Sequence, residues 1–321
     1  MVKFVNKKLF TAKRVAELLS FSEENNQYTN NGPVKVLLEL ALENLLGVGS
    51  EKRVVCASNG TAALHALMLL AEKDGKKKWA IPAFTFPSAV VGGMFSVDIL
   101  DIDLNTFTLP VEPLSLQPYD GIIITNLFGT YSNLLEWEAL CGKYGKTLVF
   151  DNASSPMSSF DGVNICNFGD YSFGSLHHTK YLGVGEGGFA IVGEHEYELL
   201  NSILGFGYCD ESRVFNPMSS NFKMSDISAA YILSHIENYN IDRHIESQSE
   251  IVERVLGSGG EVMLNSPGVV YGNVPAFFSG NMPDWLEAFE CKKYYIPLRE
   301  AVKAADVYSR IINIPVGGIG G

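Results

Sequence analysis

The sequence predicts an α/β fold: a large domain built on a mostly parallel sheet between helices, followed by a smaller α+β domain. Short apolar strands alternate with helices up to about residue 240, a pattern typical of a parallel sheet covered on both faces. After Gly257 the composition changes to glycine- and proline-rich turns between short strand-like runs. The chain has 321 residues, 46% of them hydrophobic, which is long for a single core. We therefore predict a large domain over 1–240 and a small domain over 241–321, with which the N-terminal segment can also pack.

The elements of the large domain follow from local patterns. Between Val34 and Leu46 apolar residues recur at helical spacing, after Gly-Pro and before a glycine, which predicts a helix. The run TLVFD at 147–151 is typical of a buried strand that ends in an acid. Further strands are predicted at 53–57, 78–81, 97–102, 121–128, 170–175 and 188–192. Further helices are predicted at 61–70, 133–143, 195–203, 225–236, 241–256 and 285–291, and the final GGIGG is expected to be a loose end.

Charge, cysteine content and the distribution of apolar residues argue against several classes of protein. Acidic residues outnumber basic residues 36 to 24, and the net charge of −12 does not suit nucleic-acid binding, although a local pocket can still bind a small anion. The five cysteines are odd in number and show no CxxC spacing, so we expect neither a disulfide framework nor a cysteine zinc site. The N-terminus lacks the apolar core of a signal peptide, and no run is long enough to span a bilayer. We expect a cytoplasmic protein without nucleic-acid or membrane partners.

Two features at predicted strand ends can hold an anionic, planar ligand. Gly60 and Thr61 follow a strand and begin a helix, where free amides bind anions and glycine allows a close approach. An ordinary helix start capped by Ser58 or Thr61 explains the same sequence, and is the commoner case. Phe86 follows the strand at 78–81, where its ring can stack on a planar ligand, although a core phenylalanine is the commoner explanation.

Two ionisable residues are candidates for chemistry. Asp151 ends a buried strand, where its carboxylate needs a partner such as a protonated heterocyclic nitrogen or the amides of a following turn. Lys180 lies in the loop 175–188, and a lysine held in a cavity can lose its proton and attack an aldehyde, although most lysines are solvated. The adjacent His177 and His178 point to opposite faces of an extended segment, so we expect no metal site there.

The glycines of this loop also match a nucleotide-binding pattern. Gly183, Gly185 and Gly188 satisfy GxGxxG, but they precede a strand and open no helix, so we reject a dinucleotide site. An anion cradle, a stacking ring, a carboxylate and a lysine at one sheet edge instead describe a site for pyridoxal 5'-phosphate. Its phosphate would bind at Gly60 and Thr61, and its aldehyde would form a Schiff base with a lysine.

From about Tyr28 to Pro315 the sequence resembles the nucleotide-sugar aminotransferases of the DegT/DnrJ/StrS family. The matching words include TNNGP (29–33), SNGTAALHAL (58–67), IPAFTFPS (81–88), FDNAS (150–154), GDYSFGSLHHTKYLGVGEGG (169–188), NFKMSDISAA (221–230) and YYIPL (294–298). The resemblance implies the type I aminotransferase fold, with a mostly parallel sheet of the seven-stranded type.

The resemblance also implies the roles of individual residues. Lys180 would be the Schiff-base lysine that moves protons, and Asp151 the partner of the pyridine nitrogen. His177 matches a histidine common in members that aminate a 4-keto sugar. The residues implied to bind the cofactor are Gly60, Thr61, Phe86, Asp151, Ser154, Ser175, Lys180 and Asn221, of which Ser154 stands where many relatives have glutamine. Asn221 would reach the phosphate in the neighbouring subunit, which makes the active unit a homodimer with shared sites.

The implied activity is transfer of an amino group from L-glutamate to a nucleotide-linked keto sugar, in a ping-pong reaction. His177 favours a 4-keto-6-deoxy sugar. The alternatives are a 3-keto nucleotide-sugar aminotransferase, a sugar dehydratase of the same fold, and a catalytically silent regulatory paralogue that binds the cofactor. A binding module for an acidic or neutral partner is a further reading. In the dehydratases histidine replaces the Schiff-base lysine, so the presence of Lys180 argues against a dehydratase. Asn126, Lys223 and the short C-terminus depart from the family pattern and leave the sugar open.

Overall fold

A mixed seven-stranded sheet forms the centre of the molecule. The computed structural model describes residues 1–73, 75–112, 116–207 and 217–317. The strands up to residue 193 are β1 Lys52–Ala57, β2 Lys78–Pro82, β3 Ser96–Leu100, β4 Gly121–Thr125, β5 Thr147–Asp151, β6 Ser159–Phe160, β7 Val163–Asn164, β8 Tyr171–Ser175 and β9 Gly188–Gly193. The order in the sheet is β1-β9-β8-β5-β4-β2-β3, and β9 alone runs antiparallel to its neighbours. The predicted fold class is confirmed.

Helices cover both faces of this sheet. The α-helices of the described residues are α1 Ala12–Asn25, α2 Pro33–Leu45, α3 Gly60–Glu72, α4 Leu134–Tyr144, α5 Tyr197–Leu204, α6 Asp226–Glu237, α7 Ile241–Gly257 and α8 Val302–Arg310. The last two lie with the C-terminal elements rather than on this sheet. Alternate residues of β1 show the two faces. Val55 belongs to the apolar cluster with α3 and α5, whereas Val54 belongs to the cluster with α1, α2 and α6. Burial on both faces explains why the strands read as continuous apolar runs.

A second, antiparallel sheet follows in the last third of the chain. It consists of β10 Glu261–Val262, β11 Asn273–Phe277 and β12 Ile311–Pro315, in the order β10-β11-β12. Its buried side chains share a cluster with Ile251 and Val255 of α7. The N-terminal residue Val2 pairs with Phe289 nearby. The division at residue 240 stays a prediction.

Several element bounds differ from the sequence-based expectations. The strand predicted at 121–128 ends at Thr125, because the Asn126 amide donates to the Asp151 carbonyl and a 3-10 turn, Leu127–Gly129, begins. The helix predicted at 285–291 is a 3-10 turn, Asp284–Ala288. Most of the final GGIGG lies outside the described residues.

The sequence analysis also made predictions about the cysteines and about membrane-spanning helices. Cys56, Cys141, Cys166 and Cys291 are free thiols, and Cys209 lies outside the described residues. Within the described ranges, no helix combines the length and the apolar character needed to cross a bilayer.

Candidate active site

The candidate site is a cavity of about 630 Å³ at the carboxyl ends of β2, β4, β5 and β8. This edge of a parallel sheet is where ligands bind in open α/β folds. Thr125, Asp151 and Ser175 reach it from the ends of three strands. The residues assigned from the sequence that line the cavity are Gly60, Thr61, Phe86, Asp151, Ser154, Ser175, His177 and Lys180.

Asn221 does not line this cavity. It is exposed, forms an isolated bridge with Gly205, and accepts a hydrogen bond from the Lys223 ammonium. The resemblance assigns Asn221 to the site of a neighbouring subunit, so a place outside its own cavity is compatible with that role, which stays a prediction.

The N-terminus of α3 is open to an anion. Asn59, rather than Ser58 or Thr61, is the N-cap: its Oδ1 accepts from the Ala62 amide at 2.8 Å. Among the described residues, no acceptor contacts the amides of Gly60 and Thr61, which therefore remain available at the positive end of the helix.

Two glycines allow the strands β8 and β9 to pack closely against the start of α3. A Cβ on Gly60 would lie 3.3 Å from Ser175 Cβ, and a Cβ on Gly188 would lie 2.4 Å from the Gly60 nitrogen. Gly188, which belongs to the rejected GxGxxG pattern, thus allows β9 to pass directly beneath the start of α3.

Asp151 is buried at the end of β5, with 4% of its surface exposed. Its Oδ1 accepts from the Ala153 amide at 2.9 Å, and its Oδ2 accepts a long 3.5 Å bond from the Thr125 hydroxyl. Burial raises the pKa of Asp151 to about 6, opposed by the Ala153 amide, the charge of Lys180 and the Thr125 hydroxyl. This carboxylate can accept one more strong donor from the cavity.

Lys180 lies in the connection between β8 and β9, which folds over the cavity. The Leu176 amide donates to the Gly187 carbonyl, and the His178 amide donates to that of Gly185, whose φ of +63° favours glycine. Burial lowers the pKa of Lys180, and the charge of Asp151 opposes this shift. A larger fraction of neutral amine makes Lys180 a better nucleophile than a solvated lysine.

The two neighbouring histidines face different spaces. His177 lies at the cavity rim, where its Nδ1 accepts from the Thr179 amide at 3.2 Å and its Nε2 lies 3.5 Å from the Glu186 carboxylate. His178 instead lines a separate groove beside Lys7 and Lys8. Their divergence follows the alternation expected for an extended segment.

Tyr295 is a cavity residue that was not singled out from the sequence, although it lies in the word YYIPL. Its hydroxyl and Ser154 Oγ are 2.9 Å apart. Its ring stacks on Phe128, with the centroids 5.3 Å apart, and meets Phe86 edge-on at 6.5 Å. Burial raises the pKa of Tyr295. The small Ser154 is therefore hydrogen-bonded to a tyrosine from a distant segment of the chain.

The residues present fit pyridoxal 5'-phosphate. The free amides of α3 suit its phosphate, and the buried Asp151 suits a protonated ring nitrogen. Lys180 suits its aldehyde, since burial favours the neutral amine.

Comparisons with known proteins agree with this chemistry. Residues 11–256 match the model of the DegT/DnrJ/EryC1/StrS aminotransferase family. A dTDP-4-amino-4,6-dideoxy-D-glucose transaminase from Shigella dysenteriae is 29% identical over 221 residues, which cover 67% of this chain and 59% of the relative. A UDP-2-acetamido-2-deoxy-3-oxo-D-glucuronate aminotransferase from Pseudomonas aeruginosa is 24% identical, over 64% of this chain and 58% of the relative. The chain thus spans about three fifths of the length of these curated relatives.

A solved structure supports the fold. The crystal structure of DesI with its TDP-sugar product superposes with a TM-score of 0.80 at 20% identity, covering 98% of this chain and 87% of that chain.

Proposed function

Because the chain belongs to the DegT/DnrJ/EryC1/StrS aminotransferase family, we propose that it is a pyridoxal phosphate-dependent transaminase acting on a nucleotide-linked keto sugar. One observation carries the proposal: Asp151 and Lys180, both buried enough for their pKa values to shift, face the cavity that also opens onto the free N-terminus of α3. Ionisable groups with shifted pKa values that line one cavity are typical of a functional site.

Each residue has a defined task in this proposal. Bound pyridoxal phosphate supplies a ring that accepts the electron pair released at the substrate's amino-bearing carbon. The amides of Gly60 and Thr61, with Ser175, bind its phosphate. Asp151 keeps a proton on the ring nitrogen, and Phe86 packs against the ring. Lys180 would hold the aldehyde, and its Nζ would move the proton at the substrate's amino-bearing carbon.

We propose L-glutamate as the amino donor and a 4-keto-6-deoxy sugar as the acceptor. Two points support the acceptor: His177 lies at the cavity rim, and the Shigella relative carries a 4-amino-4,6-dideoxy sugar in its name. A 3-keto sugar is the second candidate, because the Pseudomonas relative is named for a 3-oxo substrate.

We also propose a homodimer with shared sites. Support comes from Asn221, which is exposed and lies outside the cavity of its own chain. Its amide would complete the phosphate site of the neighbouring subunit.

A spectrophotometric titration tests the proposed reaction. The visible absorbance of the bound cofactor should disappear when L-glutamate is added and return with one sugar from a panel of 4-keto-6-deoxy and 3-keto nucleotide sugars. The sugar that restores it identifies the acceptor. Lys180→Ala is the control and should show no such cycle. A cofactor band that glutamate leaves unchanged contradicts the transaminase, and turnover of a sugar without glutamate supports a dehydratase.

A further inference from the structure

Two side chains hold the backbone at the site lysine. Lys8 Nζ donates to the Lys180 carbonyl at 2.7 Å. His235 Nε2 lies 2.8 Å from the Tyr181 carbonyl, and its Nδ1 accepts from the Leu9 amide at 3.0 Å. Because Nδ1 is an acceptor, the proton of neutral His235 is on Nε2 and is donated to Tyr181. Two consecutive residues of the N-terminal segment are thereby tied to two consecutive residues of the site.

The segment that carries Lys8 also contacts the C-terminal part of the chain. The Val2 amide donates to the Ala288 carbonyl at 2.7 Å, and Asn6 Nδ2 donates to the Val316 carbonyl at 2.7 Å. Between them, Phe4 lines the cavity. Residues 2–9 therefore connect the elements beyond residue 284 with the backbone of Lys180.

The charge of Lys8 is poorly compensated. Burial lowers the pKa of Lys8 to about 8, and in the described ranges no carboxylate forms an ion pair with it. Burial also lowers the pKa of His235, and the charges of Lys8 and His178 add to this shift. The titratable groups around the Lys180 backbone are thus Lys8, His178, His235 and Tyr181. The cavity around its side chain is also lined by Asp151, His177, Glu186, Tyr294 and Tyr295. Asp151 and Glu186 are the two carboxylates of this set, and Glu186 lies at the rim beside His177.

We propose that Lys8 is a positioning residue for Lys180. Its ammonium fixes the Lys180 carbonyl, keeps His235 in the neutral form that donates to Tyr181, and adds positive charge at the base of the Lys180 side chain. Fixing the backbone keeps the Lys180 amine buried, and both burial and a nearby positive charge favour its neutral form. The inference rests on the proposed function, in which Lys180 Nζ is the reacting amine.

Three variants of the full chain test it: Lys8→Met, Lys8→Arg as the rescue, and Lys7→Met as a control at the exposed neighbouring lysine. In the holoenzyme, the pH midpoint of the cofactor's absorbance change should rise by about half a unit or more in Lys8→Met. It should stay at the wild-type value in the other two variants. The rate constant kcat should fall with little change in KM, because the amine and not the binding surface is disturbed.

A second measurement separates this inference from the proposed function. Brief acetylation with acetic anhydride at a series of pH values, read by mass spectrometry of the Lys180 peptide, gives the protonation midpoint of Lys180 in the full chain freed of cofactor. The midpoint should again rise in Lys8→Met. Unchanged midpoints together with a lower melting temperature would show that Lys8 only stabilises the fold. A wild-type protein without a cofactor absorbance band would contradict the proposed function. In that case the acetylation midpoint alone tests the role of Lys8: a rise in Lys8→Met supports it, and an unchanged midpoint contradicts it.

Discussion

The burial of Asp151 lowers the stability of the folded protein without cofactor and favours binding of a cationic group. Its carboxylate is buried with one short and one long hydrogen bond, and burial raises its pKa to about 6. Desolvation of this charge disfavours the folded protein until a cation meets it. A protonated ring nitrogen in the cavity would remove that penalty. Burial of Asp151 should therefore lower the stability of the protein without cofactor and increase its affinity for the cofactor.

This reasoning gives a prediction about Asp151→Asn in protein freed of cofactor. The folded pKa of about 6 lies above the unfolded value of about 3.9, so wild-type stability falls as the pH rises from about 4 to about 6 and stays lower above that range. Above pH 7 the variant should therefore be more stable than the wild type by about 2–3 kcal/mol. Urea unfolding at pH 4 and pH 8 measures this difference, which should vanish at the lower pH.

The exposed Asp284 provides the matched control, since Asp284→Asn should leave stability nearly unchanged at both pH values. With the cofactor bound, the order should reverse, and Asp151→Asn should bind the cofactor more weakly than the wild type. A variant that is less stable than the wild type at pH 8 without cofactor would show that the carboxylate is stabilised by the protein itself.

At the scale of elements, the start of α3 depends on the strand beneath it. Gly188→Ala would place a methyl group 2.4 Å from the Gly60 nitrogen and 2.3 Å from the Asn59 carbonyl carbon, so backbone must move. We expect a loss of about 2–4 kcal/mol in stability. Cofactor affinity should fall by about tenfold or more, because the Gly60 and Thr61 amides are displaced. Equilibrium dialysis with the cofactor and urea unfolding measure the two effects.

Gly257→Ala is the control for this substitution. Gly257 ends α7, and an added Cβ there meets nothing within 4 Å. Alanine should be neutral or should stabilise the helix by up to about 1 kcal/mol. Equal effects of the two substitutions would contradict the close-approach argument.

A second element-scale feature is the buried cap of α2. Asp226, at the start of α6, accepts from the amides of Val34 and Lys35 and from the Ser22 hydroxyl. A Cβ on Gly32 would lie 2.5 Å from its Oδ2, which explains the glycine before Pro33. The sequence words TNNGP and NFKMSDISAA, about 190 residues apart, are thus two halves of one contact.

Asp226→Ala should therefore cost about 2–4 kcal/mol of stability, because it leaves two buried amides and a hydroxyl without their acceptor. Asp242→Ala, in the first turn of α7 but exposed, is the matched control and should cost less than about 1 kcal/mol. Denaturant midpoints of both variants measure the difference. Similar losses in the two variants would mean that Asp226 acts only through its charge near a helix end.

Local sequence predicts those parts of the site that neighbouring residues determine. Asp151 could be placed because a strand and its end lie within five residues, and Lys180 because its loop connects two adjacent strands. Tyr295 could not be placed, because its hydroxyl meets Ser154 from 141 residues away. That contact depends on how the C-terminal segment packs against the large sheet, which no local pattern encodes.

The same distinction applies to the fold. The central strands are buried on both faces, so their apolar runs predict them well. The helix α1 buries only Val15, Leu18 and Ser22. Such a narrow apolar stripe gives a weak helical pattern in the sequence. β10 has two residues, and pairing with β11 rather than its own sequence defines it.

At the scale of the whole molecule, the proposed shared site depends on residues that are exposed at the surface. Phe86, assigned to the cofactor ring, is 55% exposed. Asn221 lies outside the cavity, and the Lys223 ammonium contacts both Asn221 and the face of the Phe206 ring. An exposed, basic, polar edge of this kind is suited to completing an anion site on a second copy of the chain.

Subunit mixing tests the shared site directly. Lys180→Ala and Asn221→Ala should each have little activity as homodimers at limiting cofactor, the first without its amine and the second without a phosphate donor. In a mixed dimer, one site contains both substitutions, whereas the other combines Lys180 of one subunit with Asn221 of its partner. Random pairing makes about half of the dimers mixed, so co-refolded variants should recover roughly a quarter of the wild-type activity. Mixing either variant with itself is the control. If the refolded mixture forms dimers but stays inactive, Asn221 serves the site of its own chain. An Asn221→Ala homodimer with wild-type activity at limiting cofactor would show that Asn221 has no part in the site.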